Sequence, residues 1–331
     1  METKRRPMDS SGGEGRGSPF DRDELPTLRD ALSQVAGQAG KVVLGKDHQI
    51  RLALVCLVAG GHLLIEDLPG VGKTTLAHVL AKTLGLRFNR IQFTSDLMPG
   101  DVLGGAVYNR EDRRFEFHPG PIFAQLILAD EINRATPKTQ SALLEAMEEH
   151  QVTVEGETRP LPEPFFVIAT QNPAYQIGTF PLPESQLDRF LMRIDLGYPD
   201  RAAERALLRG RDRRELLTQV TPAMSPQALA AVQRRVPEIH VSDPLLDYLQ
   251  ALLEHTRRDP RFALGLSPRA GLALMRAAQA WALFAGRDYV LPEDLQTVLP
   301  HVVAHRLAPT SSGGEGGAQV VRHLLAAVPI P

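Results

Sequence analysis

A glycine-rich turn near residue 70 carries the residue types that bind phosphate groups. The segment reads Asp67-Leu68-Pro69-Gly70-Val71-Gly72-Lys73-Thr74-Thr75. Gly70 and Gly72 permit unusual dihedral angles and a close approach of backbone N–H groups to phosphate oxygens. We expect Lys73 to pair with the β- and γ-phosphates and the Thr74 hydroxyl to ligate Mg²⁺. Residues 69–75 are thus a predicted phosphate site, although Asp67 stands where the general pattern has its first glycine.

Two neighbouring acids supply a second group of chemical side chains. Asp130 and Glu131 directly follow the apolar segment Leu126-Ile127-Leu128-Ala129. Such a pair after a strand is often only a helix cap. Combined with the glycine-rich turn, it indicates that Asp130 holds Mg²⁺ and that Glu131 polarises a water that attacks phosphate.

The elements that must position these residues are strands alternating with helices. Apolar segments of strand length occur at 62–66, 90–93, 126–129 and 165–169, and helical spacing occurs at 75–84 and 139–150. Near-continuous apolar strands are typical of a parallel sheet covered on both faces. The predicted fold class is therefore α/β, with ligands at the carboxyl ends of the strands.

The pattern becomes helical after Pro199. Predicted helices span 202–217, 226–235, 244–257, 268–284 and 292–306, and several begin with proline, which the first turn tolerates. Residues 1–26 are rich in Gly, Ser, Pro and charge, which predicts a disordered tail, and 309–317 reads as a flexible loop. The predicted domains are the tail 1–26, a core 27–200 and a helical domain 201–331.

Composition excludes several classes of protein. The 331 residues carry Lys+Arg 37 and Asp+Glu 39, so the balance does not favour a polyanion such as nucleic acid as partner. The single cysteine, Cys56, excludes an intramolecular disulfide and a cysteine-rich metal site. The longest apolar stretch is too short and too interrupted for a membrane helix, and no apolar segment follows the basic N-terminal residues. We expect a cytoplasmic protein with no membrane insertion.

Longer strings around these motifs resemble one family, the MoxR-type AAA+ ATPases, over nearly all of residues 40–310. The strings that carry the resemblance are Glu66–Thr74, Phe93–Gly104, Gly120–Phe123, Ala129–Ala135, Ala169–Pro173, Leu182–Phe190 and Leu266–Ala270. An acid before the Pro-Gly turn is usual in this family, so Asp67 fits it. The resemblance implies ATP and Mg²⁺ as cofactors. It also implies an AAA+ P-loop NTPase core, a five-stranded parallel αβα sandwich, followed by a C-terminal all-helical lid.

The resemblance also implies a role for one amide after the last of these strands. Asn172 matches the sensor-1 position, where an amide orients the attacking water and contacts the γ-phosphate. Taken alone, an Asn before Pro is more often a turn residue.

Two arginines receive roles in the same way. Arg189 matches the arginine finger that a neighbouring subunit inserts, with a surface ion pair to Glu184 or Asp188 as the ordinary alternative and Arg193 as a rival. Arg269 matches sensor 2, a lid residue that reaches back to the nucleotide. Its Ser-Pro context also fits an ordinary helix start with a solvent-facing Arg269.

The family implies a homo-oligomer, a hexameric ring, and two inserted hairpins at 106–117 and 152–160. In relatives such hairpins line or top the ring and touch client proteins, and surface decoration is the alternative here. Relatives are often paired with von Willebrand factor A-domain proteins and with metal or cofactor insertion. The sequence names no client.

Four functions remain to be compared. The leading prediction is an ATPase that remodels, activates or helps to mature a partner protein. The alternatives are the ATPase subunit of a magnesium-chelatase-like complex, and a nucleotide-gated scaffold with little turnover. The scaffold is disfavoured by the intact Lys73, Thr74, Asp130, Glu131 and Asn172. A nucleic-acid motor is disfavoured because aromatic residues are 5% of the chain and no extended basic surface is apparent.

Overall fold

A computed structural model describes residues 24–172, 178–210, 213–309 and 317–330. The predicted disordered tail and C-terminal loop fall mostly outside these residues. Residues 24–26, which we assigned to the tail, belong instead to the first helix, α1, which spans Glu24–Val42. That helix buries Leu32, Val35 and Ala39 against the rest of the chain.

The strands lie in one central sheet and three small pairs. Their bounds are β1 Leu63–Glu66, β2 Phe88–Gln92, β3 Gly104–Asn109, β4 Arg114–Pro119, β5 Leu126–Asp130, β6 Gln151–Val154, β7 Glu157–Pro160, β8 Phe166–Gln171, β9 Met192–Ile194, β10 Phe262–Leu264 and β11 Ala308–Pro309. The central sheet has the order β2-β5-β8-β1-β9, and every pairing in it is parallel.

Helices cover both faces of the sheet and make up most of the C-terminal part. After α1 they are α2 Asp47–Val58, α3 Lys73–Thr83, α4 Pro99–Leu103, α5 Pro137–Glu149, α6 Glu184–Leu187, α7 Arg201–Arg209, α8 Arg213–Gln219, α9 Pro226–Arg235, α10 Asp243–Arg258, α11 Pro268–Phe284, α12 Pro292–Val303 and α13 Gly317–Ala327. Short 3-10 turns cover Ile132–Arg134 and Val236–Glu238. Within the described ranges, none of the helices could span a lipid bilayer.

The predicted α/β core with a helical lid is confirmed, and the predicted strands lie within one or two residues of the observed ones. All five residues of β5 are buried, as expected for a strand covered on both faces. The predicted helix 202–217 is instead two helices, α7 and α8, because Gly210 leaves the helical region at φ −82° and ψ 172°. The lid also holds the short β10–β11 pair.

Both predicted hairpins are present as antiparallel pairs. In the first, β3–β4, Asn109 pairs with Arg114 next to the turn. In the second, β6–β7, Val154 pairs with Glu157 around a turn at Glu155 and Gly156. Each hairpin is a separate two-stranded unit that does not extend the central sheet.

The largest apolar cluster joins the core to the lid. It contains residues of α1, α2 and α3, one face of the sheet, and the lid helices α10, α11 and α12. A second cluster fills the other face, between the sheet and α5. The lid is therefore packed on the core through buried side chains, not joined to it by a linker alone.

Candidate nucleotide-binding site

The carboxyl ends of the three central strands bring the predicted phosphate-binding and acidic residues together. The turn 67–72 follows β1, Asp130 ends β5, and Asn172 follows β8. They enclose a cavity of about 350 Å³. Its lining is Pro69, Gly70, Gly72, Lys73, Thr74, Thr75, Arg90, Asp130, Glu131 and Asn172. Val71, which we also predicted as binding, belongs to the same turn but does not line this cavity.

The glycine-rich turn adopts dihedral angles that favour glycine. Gly70 has φ +84° and Gly72 has φ +102°. A Cβ at either position would meet no atom within 4 Å, so the requirement comes from the backbone dihedrals and not from lack of space. Helix α3 begins directly after the turn, so its first N–H groups and the positive end of its dipole face the cavity.

Lys73 lies at the start of α3 and is only 8% exposed. Its Nζ donates a hydrogen bond to the carbonyl oxygen of Asp67 at 2.7 Å. Burial lowers the pKa of Lys73, and the nearby carboxylates of Asp67, Asp130 and Glu131 partly offset this. The ammonium is thus held inside the turn, with donors left for an anion.

The carboxylate of Asp67 is directed away from the cavity. Oδ2 accepts the backbone N–H groups of Leu196 and Gly197, both at 2.6 Å, and Oδ1 accepts that of Leu68 at 2.7 Å. Asp67 therefore fixes the turn to the segment after β9 and does not compete with phosphate for the turn's N–H groups. An acid in place of the first glycine of the general pattern thus serves to anchor the turn.

Asp130 is 8% exposed and has two partners that the sequence did not reveal. The buried Thr170 hydroxyl donates to Oδ1 at 2.6 Å, and Arg90 of β2 donates to Oδ2 from NH2 at 2.6 Å and from Nε at 3.1 Å. The apolar segments that predicted β2 and β8 gave no sign of these contacts, which depend on the strand order. The guanidinium of Arg90 is thus already paired with one oxygen of the carboxylate that we assigned to Mg²⁺.

Glu131 adopts the left-handed backbone conformation, with φ 56° and ψ 48°. Its N–H donates to the Thr170 hydroxyl oxygen at 2.8 Å. Its carboxylate accepts a hydrogen bond from Asn172 Nδ2 at 3.2 Å and lies 3.2 Å from Arg134 Nε. A non-glycine residue in this region is strained, and such strain occurs mostly at functional sites.

The donor set fits a hard divalent cation with a nucleotide. The Thr74 hydroxyl and the Asp130 carboxylate both line the cavity, and hydroxyl and carboxylate oxygens are the ligands that Mg²⁺ prefers. The Arg90 guanidinium on Asp130 Oδ2 shows that this oxygen attracts positive charge. The turn and Lys73 supply the complementary donors for phosphate oxygens.

The two other predicted arginines do not reach this cavity. Arg189 precedes β9, and Arg269 starts α11; both line a second cavity of about 290 Å³ together with Gly60 and Gly61, which precede β1. The second cavity therefore lies at the amino ends of the strands, opposite the phosphate turn. The expectation that Arg269 reaches back to the nucleotide is not met within one chain.

A single carboxylate joins the two arginines. Glu148, near the end of α5, forms an ion pair with Arg189 NH2 through Oε2 and accepts a hydrogen bond from Arg269 NH1 on Oε1, each at 3.0 Å. The ion pair of Arg189 is thus with Glu148, not with the expected alternatives Glu184 or Asp188. Asp188 pairs instead with the buried Arg306 at 2.6 Å and lies 3.8 Å from Arg269 Nε. The rival candidate Arg193 is paired within the chain with Glu66, at 2.8 Å.

Comparison with known proteins identifies the fold and its two parts. Residues 62–192 match the model of the ATPase family associated with various cellular activities (AAA), and residues 254–324 match the AAA lid domain. Chaperone MoxR1 of Mycobacterium tuberculosis is 40% identical over 87% of this chain and 77% of its own. The chain belongs to the MoxR family of AAA+ ATPases. The predicted family is thus confirmed.

Two further relatives share nearly the whole length of this MoxR-family chain. The protein YeaC of Bacillus subtilis, uncharacterised, is 44% identical over 94% of this chain and 97% of its own. The crystal structure of a candidate ATPase from Cytophaga hutchinsonii has a TM-score of 0.86 at 39% identity, and the match covers 93% of this chain and 97% of that one. The core and the lid therefore form one architecture in this family.

Proposed function

We propose that the chain is a Mg²⁺-dependent ATPase whose active site is completed by a neighbouring copy, and that it uses hydrolysis to remodel or activate a partner protein. The observation that carries the proposal is the position of Arg189 and Arg269. Both lie at the strand ends opposite the phosphate turn of their own chain. In a ring built head to tail, one copy's arginine edge faces the next copy's nucleotide edge.

Within one copy, we assign the binding roles to the residues of the nucleotide cavity. The turn 69–75 holds the phosphates through backbone N–H groups and Lys73, and Thr74 and Asp130 hold Mg²⁺. When bound, Mg²⁺ supplies neutralisation of charge on the phosphate oxygens. Glu131 accepts a proton from the attacking water, and Asn172, which contacts the Glu131 carboxylate, orients both.

The neighbouring copy supplies the remaining positive charge. Arg189 acts as the arginine finger, and Arg269 acts as sensor 2 on the same neighbouring site. Arg193 is less suited, since its ion pair with Glu66 ties it to the strand that leads into its own phosphate turn. An arginine finger is worth roughly 10³–10⁵ in rate where it has been measured. The ring is then a requirement of catalysis, and we propose that it is a hexamer.

A complementation experiment tests the assignment in trans. The Arg189→Ala variant has an intact nucleotide cavity and no finger, and Glu131→Gln has a finger and no base, so each alone should be nearly inactive. A 1:1 mixture should regain about one quarter of wild-type activity, because one interface in four pairs an intact cavity with an intact finger. Arg269→Ala should behave likewise. A mixture as inactive as its components would refute the proposal.

A second measurement separates an assembled enzyme from a scaffold. We expect ATP hydrolysis per subunit to rise with protein concentration as neighbours complete the sites, at saturating ATP and Mg²⁺. Absence of hydrolysis at every concentration, with ATP bound, would favour the nucleotide-gated scaffold. The geometry of Asp130, Glu131 and Asn172 favours hydrolysis.

The first hairpin supports the proposed action on a partner protein. Phe115 is 69% exposed, and Val107 and Tyr108 are 52% and 50% exposed, so the β3–β4 hairpin presents apolar side chains to solvent. Exposed apolar patches mark interaction surfaces more often than chance. Chaperone MoxR1 is named for a role on other proteins, and we propose a similar role here, including von Willebrand factor A-domain partners. Replacing Tyr108 and Phe115 with Ser should leave basal ATPase activity unchanged and weaken stimulation by the partner.

A further inference from the structure

The two arginines proposed to act in the neighbour's site come from different parts of the chain. Arg189 belongs to the core, just before β9, and Arg269 to the lid, at the start of α11. Their guanidinium groups carry like charges that repel at close range. Asp188, the residue before Arg189, lies 3.8 Å from Arg269 Nε, but it is paired more closely with Arg306, at 2.6 Å. A closer anion is therefore needed to bridge the two arginines.

Glu148 is that anion. Its two oxygens are divided between the two arginines, with Oε2 on Arg189 and Oε1 on Arg269, both at 3.0 Å. Its side chain is 34% exposed, so the bridge is accessible from the amino edge and only partly screened by water. Each guanidinium has five N–H donors, and one nitrogen of each contacts Glu148. Arg269 Nε also lies 3.8 Å from Asp188, and the other donors can meet phosphate oxygens, so the bridge and phosphate binding are compatible.

Glu148 is itself held in place by the core. It lies near the carboxyl end of α5, whose Met147 carbonyl accepts a hydrogen bond from His62 Nε2 at 3.1 Å. His62 is buried and directly precedes β1. The bridge is therefore fixed to the sheet edge and does not move independently of it.

We infer that Glu148 is a positioning residue that pre-organises Arg189 and Arg269 as one pair for the ATP of the neighbouring copy. This inference rests on the proposed function. The Glu148 carboxylate offsets one of the two arginine charges, so the bridged pair keeps a net charge of one positive unit and a fixed spacing. A displacement of about 1 Å in a catalytic group costs up to roughly 10²-fold in rate. Loss of the bridge should therefore cost tenfold or more, up to about that factor.

The variant Glu148→Gln tests the inference, with Glu149→Gln as the matched control on the next residue, which is also exposed. We expect kcat to fall at least about tenfold in Glu148→Gln while affinity for a fluorescent ATP analogue stays within about twofold. Glu149→Gln should match wild type in both. Glu148→Asp, which keeps the charge, should recover part of the loss.

Complementation distinguishes positioning in trans from a general structural defect. If Glu148→Gln damages only the arginine pair, mixing it with Glu131→Gln should restore activity, as for Arg189→Ala. The inference is overturned if the kcat of Glu148→Gln equals that of wild type. It is also overturned if kcat rises, because Glu148 would then be an inhibitory residue. A third contrary result is a mixture of Glu148→Gln and Glu131→Gln that stays inactive while Arg189→Ala complements Glu131→Gln. If Arg189→Ala does not complement either, the proposed function fails instead.

A second and independent observation concerns the far end of the lid. His255 and Asp259 lie one helical turn apart at the end of α10, and His323 of α13 faces them, with one ligand atom of each within 4.8 Å of the others. His255 Nε2 lies 3.3 Å from Asp259 Oδ2 but is enclosed and makes no hydrogen bond with the described residues. Two imidazoles and a carboxylate that converge in this way are typical metal ligands.

We infer a divalent transition-metal site at His255, Asp259 and His323, with Zn²⁺ as the best match to nitrogen and carboxylate ligands. Arg261 contacts both oxygens of Asp259, at 2.9 Å and 2.5 Å. The backbone N–H of Arg261 also donates to Oδ1 at 3.0 Å, and Nε lies 3.1 Å from Oδ2 as well. A carboxylate has about four acceptor positions, so the metal would have to replace an Arg261 hydrogen bond on Oδ2, the oxygen that faces His255. The ion would join α13 to α10.

Titration of the full chain with Zn²⁺, without nucleotide, tests this site. We expect wild type to bind one equivalent more than His323→Ala, and to show a rise in Tm that the variant lacks. His118→Ala, a change of an exposed histidine on the first hairpin, should bind as wild type does. Equal stoichiometry in wild type and His323→Ala, or no binding by wild type, would overturn the inference.

Discussion

Thr170 offers a sharp test of how the acidic pair is held, because one buried hydroxyl serves both acids. It donates to Asp130 Oδ1 at 2.6 Å and accepts the N–H of Glu131 at 2.8 Å. Thr170→Val keeps the shape and removes both bonds. It leaves the Glu131 N–H without this partner at a residue whose φ of 56° is strained.

The size of the effect follows from these two bonds. A hydrogen bond to a charged group contributes about 1.5–3 kcal/mol, and a buried donor left unpaired costs about 1–3 kcal/mol. If half or more of this energy is needed to hold Glu131 in the transition state, kcat should fall roughly 10- to 100-fold. The affinity for ATP should change little, because the phosphate turn provides most of the binding and Thr170 does not line the nucleotide cavity.

Steady-state hydrolysis and equilibrium binding of a fluorescent ATP analogue would measure the two effects separately. Thr170→Ser retains the hydroxyl and is the matched control, so it should keep most of the activity. A Thr170→Val enzyme with wild-type kcat would show that neither acid depends on this hydroxyl. Equal losses in Thr170→Ser and Thr170→Val would show that packing of the methyl group matters instead.

Three other predictions address the turn, its anchor and the buried histidine. Gly72→Ala should weaken ATP binding, because an alanine at φ +102° costs about 1–2 kcal/mol. Gly37→Ala is the control: Gly37 lies in α1 with open space around it, so this change should raise the free energy of unfolding in urea. Asp67→Asn should lower the free energy of unfolding by about 1–3 kcal/mol, because an amide cannot replace all three accepted N–H bonds, and an unchanged urea midpoint would contradict this. Burial lowers the pKa of His62 from 6.5 to about 4, so the native state resists protonation. Below pH 6.5 the unfolded state therefore binds a proton that the native state does not, and about 3 kcal/mol of the free energy of unfolding should be lost as pH falls from 6.5 towards 4. Urea midpoints of wild type and His62→Gln across this pH range would measure the loss. The midpoint of the variant should fall less than that of wild type.

Local sequence patterns were sufficient to predict the site residues whose positions depend only on elements that follow one another in the chain. The strand, glycine turn and helix around Lys73 follow each other directly, so their order alone places the turn at the end of β1. The same holds for Asp130 at the end of β5. The hairpin around Glu155 was visible because a charged turn separates two short β-like segments.

Contacts that depend on strand order could not be predicted in this way. Arg90 meets Asp130 only because β2 lies beside β5, and Thr170 meets both acids only because β8 lies on the other side. Arg269 was assigned to the nucleotide because its helix belongs to the lid, but the sequence does not say on which edge of the sheet the lid packs. The structure places that helix beside Glu148.

Helix α5 spans the molecule from the nucleotide edge to the arginine edge, and so fixes the spacing between the two surfaces that meet in the proposed ring. Its first turn is fixed to the segment after Glu131, since Gln140 Nε2 donates to the carbonyl oxygens of Ile132 and Ala135 at 3.2 Å and 3.1 Å. Its last turn carries Glu148. A helix of 13 residues is about 20 Å long, so α5 holds Glu148 at a set distance from the segment that follows Glu131. Because Met147 also ties this end of α5 to His62 at the sheet edge, the arginine pair that one copy offers to the next keeps a defined position relative to that copy's own nucleotide site.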